Sequence, residues 1–164
     1  PYISNCGFDA AGAILAHIYG PLQPRNDGPL GGARVRFDQT EFVAGAASHG
    51  LDATGTLYVP ASCGRGAPCR LHVVFHGCTQ NQATIGGRFI DNTGYDRWAD
   101  TNDILVLYPQ TIADAVDHDP WPSAAGANLE ACWDWVGYYG GDFDQRTGVQ
   151  LAAVKRMIDR IEGR

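Results

Sequence analysis

The chain is poor in basic residues and has no long hydrophobic run. Twelve Lys and Arg stand against eighteen Asp and Glu, a net charge of −6, and the basic residues are scattered. A phosphate backbone or an anionic membrane surface is recognised by clustered cations, so neither is expected as a partner. No stretch approaches the ~18 apolar residues that argue for a membrane-spanning helix, and no basic-then-apolar leader opens the chain. Secretion stays open, because such leaders are removed. The chain begins Pro1-Tyr2-Ile3 with no initiator methionine, which is read as a start downstream of a cut or of further sequence.

Motifs of several chemistries are missing as well. There is no Gly-x-Gly-x-x-Gly or Gly-x-x-x-x-Gly-Lys-Ser/Thr, so no nucleotide cofactor is expected. CxxC pairs, HExxH and the EF-hand loop are absent, and no metal is expected. Above all, none of Ser4, Ser48, Ser62 and Ser123 lies in a Gly-x-Ser-x-Gly elbow. A serine hydroxyl needs such a strained strand-to-helix turn, or an equivalent, to meet a base. None is expected to be a nucleophile, and Ser48-His49 and Ser123 are read as loop residues.

What is present fits one domain. The 164 residues are 45% hydrophobic, enough to fill one core. The five cysteines are many for a reducing compartment and odd in number. Cys63 and Cys69 flank the Gly/Pro-bearing SCGRGAPC, which can close as a short covalent loop; the odd count leaves one orphan, expected to be Cys6.

The periodicity predicts an α/β fold. A helix is expected over 7–19, with Phe8, Ala11, Ile14, Leu15 and Ile18 on one face and Gly20-Pro21 as its stop. Residues 20–33, rich in Pro and Gly, read as a surface connection. Strands are expected within 34–43 and in ATGTLYVP. LHVVFHG and ILVLYP are near-continuous apolar runs of the kind buried on both faces of a parallel sheet. The weak helical pattern between them makes a strand-helix-strand crossover. Residues 111–131 form a long polar segment. A helix over 144–161 is expected from Leu151, Val154, Ile158 and Ile161, with Asp142 and Gln145 as a capping box. Ile161 continues that stripe, so the final Ile161-Glu162-Gly163-Arg164 is read as native helix end. A strand should follow such a helix.

Two places invite function. In His76-Gly77-Cys78 a buried strand ends in glycine at the carboxyl edge of the sheet, where open α/β sheets bind ligands; the Cys78 amide is suited to a developing oxyanion, against the plainer reading of a tight turn. In NLEACWDWVGYYGGDFD the aromatics Trp133, Trp135, Tyr138 and Tyr139 are core residues, or one or two of them face a substrate cleft. Cys132 beside them is one available partner for Cys78. His17 reads as a helix-surface residue and His72 as structural. His118, among Asp114, Asp117 and Asp119, reads as part of a solvated acidic loop in preference to a metal site.

RLHVVFHGCTQN, GYDRWADTNDILVLYPQ and NLEACWDWVGYYGGDFDQRTGVQLAAVKRMID together closely resemble extracellular poly(3-hydroxybutyrate) depolymerases and their feruloyl and acetylxylan esterase relatives, over about residues 34–162. The resemblance implies the front half of an α/β-hydrolase sheet with flanking helices, completed by a missing or separate upstream segment. It places an oxyanion-hole amide on Cys78, a substrate-crevice tryptophan on Trp135, and disulfides at Cys78–Cys132 and Cys63–Cys69. The opening PYISNCGFDAAGAILAHIYG resembles the segment just after the catalytic histidine in circularly permuted members. By that likeness the helix at 7–19 is the last of the ordinary hydrolase order, the Ser-Asp-His triad precedes Pro1, and Cys6 bridges to that segment. The resemblance thus implies a secreted serine esterase acting on polyester, inactive as this chain alone. A feruloyl or acetylxylan esterase part and a non-catalytic polymer-binding module are the alternatives.

Overall fold

The computed structural model describes residues 3–118 and 126–164. Four strands, Ala33–Asp38 (β1), Thr54–Val59 (β2), Arg70–Val73 (β3) and Ile104–Tyr108 (β4), form one sheet in the order β1-β2-β4-β3. β2 is antiparallel to both β1 and β4, while β3 and β4 run parallel in the register Arg70↔Ile104 to Val73↔Leu107. A two-stranded ribbon, Asp114–His118 (β5) with Gly126–Asn128 (β6), stands apart. The helices are Ala10–Tyr19 (α1), the short Ala61–Gly64 (α2), Gln82–Ile85 (α3) and Arg88–Asn92 (α4), then Tyr95–Asn102 (α5) and Val149–Ile161 (α6). No helix among the described residues is long and apolar enough to cross a membrane.

The doubly apolar run ILVLY explains the layering. Alternate residues of a strand point to opposite faces, so Ile104, Val106 and Tyr108 enter one cluster with Leu15, Ile85, Phe89, Ile90 and Ala99 from the crossover helices and α1. Leu107 enters the other, with Ala153 and Met157 of α6 and with Phe42, Val43 and Leu51. The strand-helix-strand crossover expected between LHVVFHG and ILVLYP is therefore present; its helices cover one face of β4 and α6 covers the other. Under it lies a polar network. Tyr108 donates to the buried Asp96 (2.6 Å), whose other oxygen receives Arg34 Nε at 2.7 Å. Burial raises the Asp96 carboxyl pKa against the pull of its two partners.

Several expected boundaries shift for local reasons. α1 starts at Ala10 because Asp9 caps it, its Oδ1 accepting the Gly12 N–H at 2.9 Å. Gly12 fits flat against Trp98, where a Cβ would lie 2.6 Å from the indole. Only Ala11 and Leu15 of the expected apolar face are buried; Phe8, Ile14 and Ile18 are exposed, and His17 is on the surface as expected. β1 ends at Asp38 and gives way to a 3-10 turn over Gln39–Phe42, so the strand expected within 34–43 occupies the first half of that region. α6 begins five residues later than expected. Successive turns, Gln145 N–H to the Asp142 carbonyl and Gly148 N–H to the Gln145 carbonyl, fold the segment back. No capping box forms, because Gly148 is the N-cap and has no side chain to cap with. The buried stripe of α6 is Gln150, Ala153, Val154 and Met157, flanked by Ile158 and Ile161, while Leu151 is exposed. The segment expected as irregular over 111–131 carries β5 and β6.

Both expected disulfides are present. Cys63–Cys69 closes six residues between α2 and β3, and Cys78–Cys132 spans 54. Cys6 is free and exposed.

Candidate active site

The site begins where the β3 ladder ends. The chain stays beside β4 for one more bond, Val74 N–H to the Leu107 carbonyl at 2.9 Å, and alternation continues, with Val74 and His76 buried and Phe75 exposed. Gly77 then turns the chain. Its N–H is taken by Gln80 Oε1 at 2.7 Å, and its carbonyl accepts the Gln80 N–H at 3.1 Å. That leaves Cys78 exposed at the apex. Its backbone N–H meets no acceptor among the described residues.

Thr79 has φ +63°, a left-handed conformation that a β-branched residue rarely adopts. The conformation is held by its N–H, which donates to the Glu130 carbonyl at 2.6 Å. Across the disulfide Ala131, at φ +49°, is also left-handed and fully buried. The Asn128 side chain shapes that turn: its Oδ1 accepts the Cys132 N–H and its Nδ2 donates to the Cys132 carbonyl, both at 2.8 Å. Two strained residues thus flank the bridge, each secured by a hydrogen bond, and Cys78 is tied to a rigid neighbour.

His76 lies beneath the turn, 3% exposed. Nδ1 is 2.8 Å from the Gly77 carbonyl and so donates to it; Nε2 is left to accept the Thr111 N–H at 3.2 Å. Burial lowers its pKa, with the Gly77 carbonyl opposing. The ring is a neutral structural member with both nitrogens engaged. His72, half-buried near Tyr19 (3.3 Å from its hydroxyl), is likewise held below the usual histidine pKa by burial and is structural as expected.

The Cys-Trp-Asp-Trp segment divides its aromatics. Trp133 turns inward, packing edge-on to Phe75 at 4.8 Å and against His76 at 5.7 Å between ring centroids. Trp135 turns out, 66% exposed. Asp134 between them organises the loop. Its Oδ1 accepts the Gly137 and Tyr138 N–H groups at 2.7 and 2.9 Å and its Oδ2 that of Tyr139 at 3.0 Å. Its own N–H donates to Gln150 of α6 at 2.8 Å. Tyr139 is half-buried, accepts a hydrogen bond from Asn128 at 3.2 Å and lies edge-on to His118. Burial first, with nearby carboxylates adding to it, pushes its hydroxyl pKa up to about 12.

His118 pairs with Asp114 at 2.7 Å. Burial raises the Asp114 carboxyl, but the Val116 N–H and His118 outweigh it and leave the pKa lowered. Asp117 is exposed, and Asp119 and Ser123 lie outside the described residues. Among the described residues, the sets of three close ligand atoms are each a disulfide plus one carboxylate, Asp103 or Glu130, a poor donor set because bridged sulfur is no thiolate. No serine hydroxyl among them is hydrogen-bonded to a histidine: Ser48 donates to the Gly45 carbonyl and Ser62 to Asp103.

The structure therefore brings Cys78, Cys132 and the tryptophan segment together, leaves His17 and His72 elsewhere, and packs His118, paired with Asp114, against Tyr139 of that segment's loop. Four residues that organise the site, Thr111, Asn128, Asp134 and Gln150, were not singled out from the sequence. Only Asp134, a carboxylate followed three residues on by Gly137, carries a readable signal of a loop folded on a side chain.

No protein-family model matches the chain. It is 50% identical over 162 residues to a polyhydroxybutyrate depolymerase of Talaromyces funiculosus, covering 98% of this chain and 47% of that protein. To a poly(3-hydroxybutyrate) depolymerase of Delftia acidovorans it is 46% identical over 164 residues, covering 98% of this chain and 30% of the relative. The crystal structure of PHB depolymerase from Penicillium funiculosum superimposes with a TM-score of 0.91 at 50% identity, over 97% of this chain and 49% of that one. A serine-to-alanine variant of PHB depolymerase complexed with an R3HB trimer gives the same TM-score, over 98% and 50%. The chain spans about half the length of these relatives, or less. Over nearly all of its length, and in both sequence and fold, this chain is homologous to one portion of the poly(3-hydroxybutyrate) depolymerases.

Proposed function

We propose that this chain is the C-terminal part of a circularly permuted, secreted poly(3-hydroxybutyrate) depolymerase. In this reading its sheet is the front half of an α/β-hydrolase sheet, and an upstream segment or partner chain carries the Ser-Asp-His triad. The observation that carries the reading is the Cys78 amide. It is without an acceptor among the described residues, on a residue that is exposed beyond the carboxyl end of β3 and whose sulfur is bridged to the segment that presents Trp135.

The chemistry follows from what a preorganised amide does. The upstream serine attacks the ester carbonyl while the histidine takes its proton and the aspartate orients the imidazole. Negative charge gathers on the carbonyl oxygen, and the Cys78 N–H, with a second amide beside the serine, receives it. The tetrahedral intermediate collapses to an acyl-enzyme and the departing 3-hydroxybutyrate alkoxide takes the proton from the histidine. Water then repeats the sequence and frees the acid. Trp135 borders the crevice and contacts polymer. The substrate assignment is supported by the names of the relatives and by the R3HB trimer bound to one of them. No residue of this chain serves as nucleophile or general base. Cys6, free and exposed, is the expected bridge to the upstream segment.

The test is to join the chain to the triad-bearing segment and measure release of soluble product from a poly(3-hydroxybutyrate) film. The joined protein should degrade the film and the chain alone should not. Film adsorption without hydrolysis by the joined protein would favour a binding module, and preferential cleavage of feruloyl or acetyl esters would move the substrate to plant polysaccharide. Intact mass before and after reduction tests the Cys6 bridge.

A further inference from the structure

Three non-contiguous segments meet beneath the Cys78 amide, and one residue holds all of them. Thr111 follows β4, is fully buried, and is fixed in the backbone by its bridge to Leu51. Its N–H donates to His76 Nε2 at 3.2 Å, two residues before Cys78. Its hydroxyl lies 3.1 Å from the same nitrogen and 2.5 Å from the Ala131 carbonyl, next to Cys132.

The proton inventory fixes the direction of these bonds. His76 Nδ1 sits 2.8 Å from the Gly77 carbonyl and must donate, since two acceptors would repel at that distance. Nε2 is therefore unprotonated and accepts the Thr111 N–H. The Ala131 carbonyl, 2.5 Å from the hydroxyl and receiving no other hydrogen bond among the described residues, can only accept and so takes the single hydroxyl proton of Thr111. Both arms of Thr111 thus end within two residues of a disulfide sulfur, one on each side. Ala131 needs such a hold, because its φ of +49° is one that an alanine leaves when unconstrained.

We propose that Thr111 is a positioning residue for ester hydrolysis: by gripping His76 and Ala131 at once, it fixes where the Cys78 N–H points. The proposal rests on the reading of Cys78 as an oxyanion donor. Thr111 touches no substrate. It acts through the bridge: its two bonds refer the residues that precede Cys78 and Cys132 to the segment that follows β4, in addition to the Thr79–Glu130 bond that joins the two turns to each other.

The test uses the complete enzyme, with this chain joined to its triad-bearing segment. Thr111→Val keeps the shape and the N–H bond to His76 but removes the hydroxyl bond to Ala131; Thr111→Ser keeps both. Steady-state kinetics are measured on a soluble aryl butanoate, with hydrogen exchange of the Thr79 and Cys132 amides measured alongside. Thr111→Val should lower kcat about 10- to 100-fold, the scale of a displaced catalytic group, with KM changed less than about twofold. Exchange at those amides should quicken, and Thr111→Ser should restore both readouts.

An unchanged kcat in Thr111→Val overturns the proposal. So does an equal loss in Thr111→Val and Thr111→Ser, which would mark packing alone. An unaltered enzyme that hydrolyses neither the soluble ester nor polymer instead overturns the reading of the site, and with it the catalytic role of Thr111. These failures are distinct, because the first two are read against an active parent.

Discussion

Asp134 accepts the Tyr139 N–H at 3.0 Å, and its other oxygen takes the N–H groups of Gly137 and Tyr138. The one charged residue between two tryptophans is thus what folds the loop that presents them. Asp134→Ala leaves several amides without their acceptor and is expected to destabilise the protein by about 2 kcal/mol or more, the scale of hydrogen bonds to charged groups. Asp134→Asn should lose less, since it keeps one acceptor oxygen. Urea denaturation followed by tryptophan fluorescence measures both; equal stability of the alanine variant and the parent would refute the account.

The two disulfides should differ in worth. Loop-closure entropy predicts about 4 kcal/mol for the bridge spanning 54 residues and about 2 kcal/mol for the one spanning six. Replacing Cys78 and Cys132 by alanine should therefore lower the denaturation midpoint more than replacing Cys63 and Cys69. Hydrolysis by the complete enzyme should fall with the first pair and survive the loss of the second.

Acid should destabilise the fold before its carboxylates titrate. Burial depresses the pKa of His76 below its ordinary 6.5, so the unfolded chain binds a proton there that the folded chain refuses. The stabilisation is complete above pH 6.5 and is lost as pH falls through the folded pKa, with a slope of at most about 1.4 kcal/mol per pH unit. His72 acts in the same direction. Melting temperature measured from pH 7.5 down to 5 should decline, and His76→Gln should flatten the profile. A parent profile that is flat across that range would mean the imidazole is not buried as a neutral ring.

Trp135 offers the opposite signature. Being 66% exposed, it should tolerate replacement by alanine within about 0.5 kcal/mol of stability. In the complete enzyme Trp135→Ala should raise KM for an R3HB trimer about tenfold and disturb a small aryl ester less, because a stacked aromatic surface is lost only to the longer ligand. Equal effects on both substrates would remove Trp135 from the crevice.

The amount of this that could be read from the sequence tracks where the physics is local. ILVLYP announced a central strand because burial on both faces suppresses alternation, whereas LHVVFHG, expected to be covered likewise, forms the parallel edge strand and is only partly buried, with Phe75 exposed. The short Cys63–Cys69 loop announced itself by spacing, whereas the Cys78–Cys132 pairing was singled out only by resemblance. The inward and outward division of Trp133 and Trp135 was not legible from the residues themselves, since both are apolar and two positions apart in a loop folded by Asp134; only the resemblance singled out Trp135. Thr111 was invisible for a related reason: an isolated threonine in a polar stretch gains its meaning from His76 and Ala131, 35 and 20 residues away. The expected cap at Asp142 failed because turns through Gln145 engaged its carbonyl first.

The Cys78–Cys132 bridge also sets terms for how the protein is made. A polypeptide folded in a thiol-rich cell would hold the Cys78 turn by hydrogen bonds alone, beside Thr79 and Ala131 in conformations they do not favour alone. Recombinant material from such a host would consist of well-packed sheet and helices with a looser apex, and a later oxidation step would add the covalent link that stiffens it.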